Sequence, residues 1–313
     1  PSLDVRPGTN IVQPGGRDSS TVWLDFEEKD PARRFKMFRV IGAGGADPVT
    51  EWNNWAMAIH FSPDGIHWGE PVATSGRVVD RSTVFWNPFR KVWVFSLKMH
   101  ASPHFMLPVA VDAGWSVIYE ANPGRTRFYY EHVDLNSDLQ LRPKNVGFWV
   151  GADGLDPRHP VAKYRGPPQL YNLDGVAYES LMLGLFTIWQ GPDNHVYKRD
   201  NIQKRNEVLL GFSRDGFHWH RPDRKPFAGV NETPGAWNWG NVQSTGGGCL
   251  VVGDKLYFYV SGRAVPADPQ WKGACTTGLA VLRRDGFASM DADGQTGTLT
   301  TRPVIFRGKH LFV

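Results

Sequence analysis

The sequence predicts an all-β fold, a β-propeller of four-stranded antiparallel blades, and three observations carry that expectation. First, Asp18-Ser19-Ser20-Thr21-Val22-Trp23 returns as Asp80-Arg81-Ser82-Thr83-Val84-Phe85. Second, Phe61-Ser62-Pro63-Asp64-Gly65-Ile66-His67-Trp68 returns as Phe212-Ser213-Arg214-Asp215-Gly216-Phe217-His218-Trp219, and a worn copy reads Leu282-Arg283-Arg284-Asp285-Gly286-Phe287. Third, helical periodicity is nearly absent, while Gly 34, Pro 23 and Trp 13 in 313 residues mark many short strands joined by turns. Self-similarity at a spacing of this order is the mark of repeat architectures.

Each opening motif leads into a hairpin. The turns fall at 27–32 and 87–91, and the returning strands are Phe35-Lys36-Met37-Phe38-Arg39-Val40 and Val92-Trp93-Val94-Phe95-Ser96-Leu97. Each closing motif centres on Asp-Gly, where Gly accepts φ > 0 and Asp bonds its own backbone. In order, the expected blades run about 17–71, 77–135, 169–222 and 240–292, with 297–313 beginning a further strand pair. All belong to one domain spanning 1–313. A Pro follows each closing Trp, at Pro71 and Pro222, and the chain opens Pro1-Ser2-Leu3-Asp4 as though a closing motif preceded it. The expectation is a five-bladed ring whose first blade is absent from this chain. A β-sandwich would not explain the repeated motifs.

Composition narrows the function. With 35 basic and 31 acidic residues interspersed, the net charge of +4 does not form the clustered surface that binds nucleic acid. No stretch approaches the roughly 18 apolar residues of a membrane span, and the longest, 180–189, is about half that. Two cysteines exclude a disulfide framework and a multi-cysteine zinc site. His218 and His220 would share one face of a strand, but no neighbouring acid or third His completes a metal set, so neither metal nor cofactor is expected. The compartment and the oligomeric state stay open, with a periplasmic or secreted location favoured over the cytoplasm. Cys249 and Cys275 could pair within the last blade or stay as thiols, and Asn231-Glu232-Thr233 fits a glycosylation acceptor.

The first strand of each propeller blade lines the central channel, so residues at strand starts converge there. Asp18, Asp80 and Glu179 stand at such positions in three blades. Convergent carboxylates push one another's pKa values apart, which suits glycoside hydrolysis with one acid and one base or nucleophile. Each could instead cap a turn. Trp237 and Trp239, in a loop without alternation, are candidate platforms for a sugar face or packing residues between blades. Gln243, Arg263 and Asp174 lie near inward strands and could bond sugar hydroxyls, as could Arg81 beside Asp80. His67 and His218 share one slot of the closing motif and read as structural. Gly246-Gly247-Gly248 precedes an apolar strand rather than a helix, so it reads as tight packing near the axis rather than a phosphate loop.

This arrangement of strand-start Asp, later Asp-Arg pair and Glu opening the next blade resembles the five-bladed glycoside hydrolases of families 32, 43 and 68. The resemblance covers most of the chain in architecture. It implies carboxylate acid/base cleavage of furanosides such as fructosides and arabinosides. Asp80 is similar to the transition-state-stabilising Asp, although the family order Arg-Asp-Pro is not kept. Glu179 is similar to the general acid, with Ser180 where family 32 often has Cys. Asp18 stands in for the base or nucleophile. The closing motif is also similar to the sialidase Asp-box, Ser-x-Asp-x-Gly-x-Thr-Trp, with one residue fewer between Asp and Gly, but no three-Arg clamp stands out. The functional expectation is a glycosidase acting on a carbohydrate; the alternative is a non-catalytic glycan-binding or scaffold propeller.

Overall fold

The protein was studied as a computed structural model, which describes residues 11–13, 18–42, 55–99, 124–135, 145–264 and 275–310. Among the described residues, fourteen strands form four consecutive antiparallel sheets. The first contains β1 (Ser20–Leu24), β2 (Phe35–Gly42), β3 (Trp55–Ser62) and β4 (Ala73–Val78). The second contains β5 (Thr83–Asn87), β6 (Val92–Met99), β7 (Thr126–His132) and β8 (Gly147–Val150). The third contains β9 (Gln169–Tyr178), β10 (Leu181–Gly191) and β11 (Arg205–Ser213), and the fourth β12 (Val242–Val252), β13 (Lys255–Arg263) and β14 (Cys275–Arg283). A short helix, α1 (Asn194–Asp200), lies between β10 and β11.

The sheets differ at their edges from the expected blades. The Asp64-Gly65 turn follows the third strand rather than closing the sheet, and β4 lies wholly beyond position 71. The outer strand β8 falls in the interval left between the second and third blades. Among the described residues the third and fourth sheets have three strands each. The bridge from Phe212 to His220 is the rudiment of a fourth in the third sheet. Residues 297–310 form no strand and are exposed throughout, so water satisfies their backbone groups. The terminal stretches 1–4 and 311–313 lie outside the described residues.

Alternation along single strands builds three cores. On β5, Val84 points to the first sheet and Phe85 to the third. On β6, Phe95 and Leu97 join the first core while Val92 and Val94 join the second. On β10, Met182, Phe186 and Ile188 pack against the second sheet, and Leu183 and Leu185 against the fourth. This is the period-2 geometry of a strand buried on both faces, which makes β10 a nearly unbroken apolar run. The fourth sheet buries Leu256, Phe258 and Val260 against the third. Its other face leaves Leu250, Tyr259, Leu279 and Val281 between 44% and 52% exposed.

The inner strands β1, β5, β9 and β12 meet one another at the centre. The glycine triplet is what allows this. Gly246, Gly247 and Gly248 all have positive φ, of 81°, 72° and 73°. A Cβ on Gly246 would lie 2.9 Å from Thr21, and one on Gly248 would lie 2.2 Å from Val176. The two intact closing turns are superimposable in their bonding. Asp64 Oδ1 accepts from the N–H groups of Ile66 and His67, as Asp215 Oδ1 does from Phe217 and His218. His67 and His218 each turn Nδ1 to that Asp at 2.7 Å, so both histidines belong to the turn. Cys249 and Cys275 are free thiols.

Candidate active site

Asp18 precedes β1 and Asp80 precedes β5, and the fold joins them through Arg81. The Arg81 N–H donates to Asp18 Oδ2 at 3.0 Å. Arg81 is a non-glycine residue at φ 58°, a left-handed conformation that costs of order 1–2 kcal/mol. Three bonds hold it there. Besides the bond to Asp18, its carbonyl accepts from Arg127 Nη1 at 2.8 Å, and its Nη2 donates to the Ser244 carbonyl at 2.7 Å. Strain retained by several surrounding contacts is a pointer to function.

The two carboxylates have different surroundings. Asp80, one-fifth exposed, forms an ion pair with the buried Lys98 ammonium. Asp18 is open to solvent at one side but crowded by protein atoms on the others. Desolvation, and then the charge of Asp80, push its carboxyl above the usual value, against the Arg81 N–H. Burial pulls the Lys98 ammonium down, and Arg125 and Arg127 add to that while Asp80 opposes it. Tyr171 of β9 lies beside this group, with Lys98 Nζ 5.3 Å and Arg125 Cζ 5.5 Å from its ring centre. Burial, then Asp80, raise its phenol.

A third carboxylate reaches the centre from the third sheet, and it is Asp174. It is buried, accepting from Asn172 Nδ2 at 2.8 Å and from the Ser244 hydroxyl. Its Oδ1 has no partner, nor do Nε and Nη2 of the wholly buried Arg127, whose charge interacts with Asp174. These orphaned atoms mark a polar centre with bonding capacity to spare.

The other expected site residues divide. Glu179 does not join Asp18 and Asp80. It occupies the tight turn between β9 and β10 at φ 50°, is 63% exposed, and pairs with Arg284 at 3.1 Å. The reason is register: Tyr178 pairs directly with Leu181, so Glu179 is a hairpin tip rather than a strand start. It sits at the opposite end of β9 from Gln169 and Tyr171. Gln243 is buried, donating to Asn241 Oδ1 at 2.9 Å. Arg263 ends β13, its N–H bonded to the Asn241 carbonyl at 3.2 Å. One face of Trp237 is taken up by packing. Glycines at 262 and 278 leave the hollow it fills, since a Cβ at either would meet its ring at 2.5 or 2.2 Å. Trp239 is half-buried in the same loop.

Lys98, Arg125, Arg127, Tyr171, Trp189 and Lys204 are the residues that motif spacing did not bring forward. The available signal was charge inside a buried strand: Lys98 continues an apolar run, and its register partner on β7 is Arg127. A cation at each of two paired, buried positions requires a polar reason.

No family model matches the sequence, and no curated protein matches it. Solved structures are similar in fold. A GH32 β-fructofuranosidase from Bombyx mori has 11% identity and a TM-score of 0.43, the match covering 87% of this chain and 47% of the other. A thermostable family-43 glycoside hydrolase has 10% identity and a TM-score of 0.46, with 85% and 72% covered. A glycosyl hydrolase from Bacteroides ovatus has 8% identity and a TM-score of 0.46, with 86% and 67% covered. The chain spans about half the length of the Bombyx mori protein. The resemblance to glycoside hydrolases of families 32 and 43 is remote.

Proposed function

We propose that the protein is a glycosidase whose reacting carboxyls are Asp18 and Asp80. The carrying observation is the unequal environment of two acids bridged by Arg81. Asp18, its pKa raised by desolvation and by Asp80, is the better placed of the two acids to donate a proton to a leaving glycosidic oxygen. Asp80, ion-paired with Lys98, is the ionised partner that serves as base, nucleophile or stabiliser of positive charge at the anomeric carbon. Asp174 takes the place in the third sheet first expected of Glu179, where it orients the polar centre through Ser244. Arg81, Gln243 and Arg263 remain candidates for contacts with sugar hydroxyls, and Trp239 for one wall. Furanosides such as fructosides and arabinosides are the substrate class that the family resemblance suggests. The open apolar face of the fourth sheet supports a five-bladed propeller, completed by a further sheet packed against Leu250, Tyr259, Leu279 and Val281.

The test is hydrolysis of a panel of aryl furanosides and pyranosides, with Asp80→Asn and Asp18→Asn as controls. Release of the aryl group by the wild type alone supports the reading. Binding of the sugars without turnover by any form would instead make the protein a glycan-binding propeller.

A further inference from the structure

The centre gathers more positive charge than its carboxylates use. Lys98 and Arg127 are register partners on β6 and β7. Arg125, two residues before Arg127, reaches Gln169 Oε1 at 2.6 Å and lays its guanidinium 4.9 Å from the ring centre of Trp189. From the third and fourth sheets come Lys204 and Arg263, drawn together by Asn241. The Asn241 side chain donates to the Lys204 carbonyl at 2.7 Å, and its carbonyl accepts from Arg263 N–H. Arg81 interacts with Asp18, Arg127 with Asp174, and Lys98 and Lys204 with Asp80, and with Arg125 and Arg263 beside Lys204 the centre holds six cations. Lys98 and Asp80 form an ion pair within this group.

Among the described residues, Arg81, Arg125, Arg127 and Lys204 have no carboxylate in ion-pair contact. Their partners are carbonyls, an amide and aromatic rings: Lys204 Nζ lies 4.7 Å from the Tyr197 ring centre. Cation–π contacts of this kind hold a cation without neutralising it. Crowding like charges in a partly desolvated place is unfavourable until an anion enters. Hydroxyl groups of a neutral sugar give such a cluster no compensation. A carboxylate or sulfate does, through charge-assisted bonds.

We propose that this site takes an anionic sugar, one bearing a carboxylate or sulfate group, which Lys204 and Arg125 receive. The proposal rests on the reading of the centre as a sugar site and adds the charge of its ligand. Burial, Arg125 and Arg263 pull the Lys204 ammonium down to about 8, so an incoming anion also relieves repulsion already present.

The experiment is calorimetric titration of the whole protein, near neutral pH and at low salt. The probes are sodium D-galacturonate, D-galactose, a sulfated galactose and inorganic sulfate. Galacturonate and galactose differ only at C6, so the comparison reads charge. The expected result is binding of an anionic sugar at least about tenfold tighter than galactose, the preference shrinking as salt rises. Lys204→Gln should lose most of that preference, and Arg125→Gln serves as the second variant if the first is unstable. Whichever anionic sugar binds tighter distinguishes carboxylate from sulfate. Equal affinity for galactose and both anionic sugars overturns the proposal, as does inorganic sulfate binding as tightly as either sugar. Aryl glycoside turnover is read separately. Anion preference without turnover removes the glycosidase reading and keeps the anionic ligand. Turnover of neutral glycosides without anion preference does the reverse.

Discussion

The backbone N–H of Arg81 donates to the carboxylate of Asp18 at 3.0 Å across 63 positions of sequence. One bond thus ties the start of the second sheet to the start of the first and sets Asp80 beside Asp18. Arg81 reaches this arrangement in the left-handed region, with φ 58°, where a Cβ is unfavourable. Comparing Arg81→Ala with Arg81→Gly isolates that conformation. Both lose the bond to Ser244, but only Ala keeps the left-handed penalty. Arg81→Gly should be more stable than Arg81→Ala by about 1 kcal/mol in urea unfolding. Equal stability would mean that Arg81 is not held left-handed.

Asp18 couples stability and activity through pH. Its folded pKa lies above the unfolded value of 3.8, raised by desolvation and then by Asp80. The folded state therefore binds the proton more tightly than the unfolded one, and stability falls as pH rises from 3.8 through the folded value. Asp18→Asn keeps an acceptor for Arg81 N–H and removes the charge. At neutral pH the variant should melt no lower than the wild type, and its stability should depend less on pH. Its turnover should fall roughly 10²–10⁴-fold, as expected for loss of a general acid. Melting curves across pH and rates on an aryl glycoside check both halves.

Close approach of the inner strands predicts a severe response at Gly248. A Cβ there would lie 2.2 Å from Val176 on a residue with φ 73°. Gly248→Ala should cost about 3 kcal/mol, combining overpacking with left-handed strain, as a shift of the urea midpoint. Gly253, also at positive φ but with nothing within 4 Å of its Cβ position, is the control. Substitution there should cost about 1 kcal/mol.

Glu179 offers the converse. It is exposed at a hairpin tip, paired with Arg284 far from Asp18 and Asp80. Glu179→Gln should leave turnover unchanged and stability within about 0.5 kcal/mol. A loss of rate comparable to that of Asp80→Asn would restore it to the chemistry.

The sequence made the sheets readable because their signals are local. A repeated opening motif and an Asp-Gly turn are short patterns, and the turn's bonding is the same in its two intact copies at Asp64 and Asp215. Asp18 and Asp80 were legible for the same reason, being the same position of one motif. Glu179 misled because strand starts and hairpin tips look alike in sequence: both put an acid beside an apolar run. Only the pairing of Tyr178 with Leu181 separates them. Asp174, Arg127 and Lys204 were harder still. Their importance lies in contacts across sheets, such as the Asp174 bond to Ser244 over 70 positions, which no local window contains.

The most direct test of the central claim is the rate of Asp80→Asn against wild type on the aryl glycoside that the wild type cleaves best. The substitution preserves shape and removes the charge paired with Lys98. Loss of turnover by roughly 10²–10⁴-fold, with melting temperature retained, is the predicted result. A folded Asp80→Asn protein that cleaves the substrate at the wild-type rate would contradict the account.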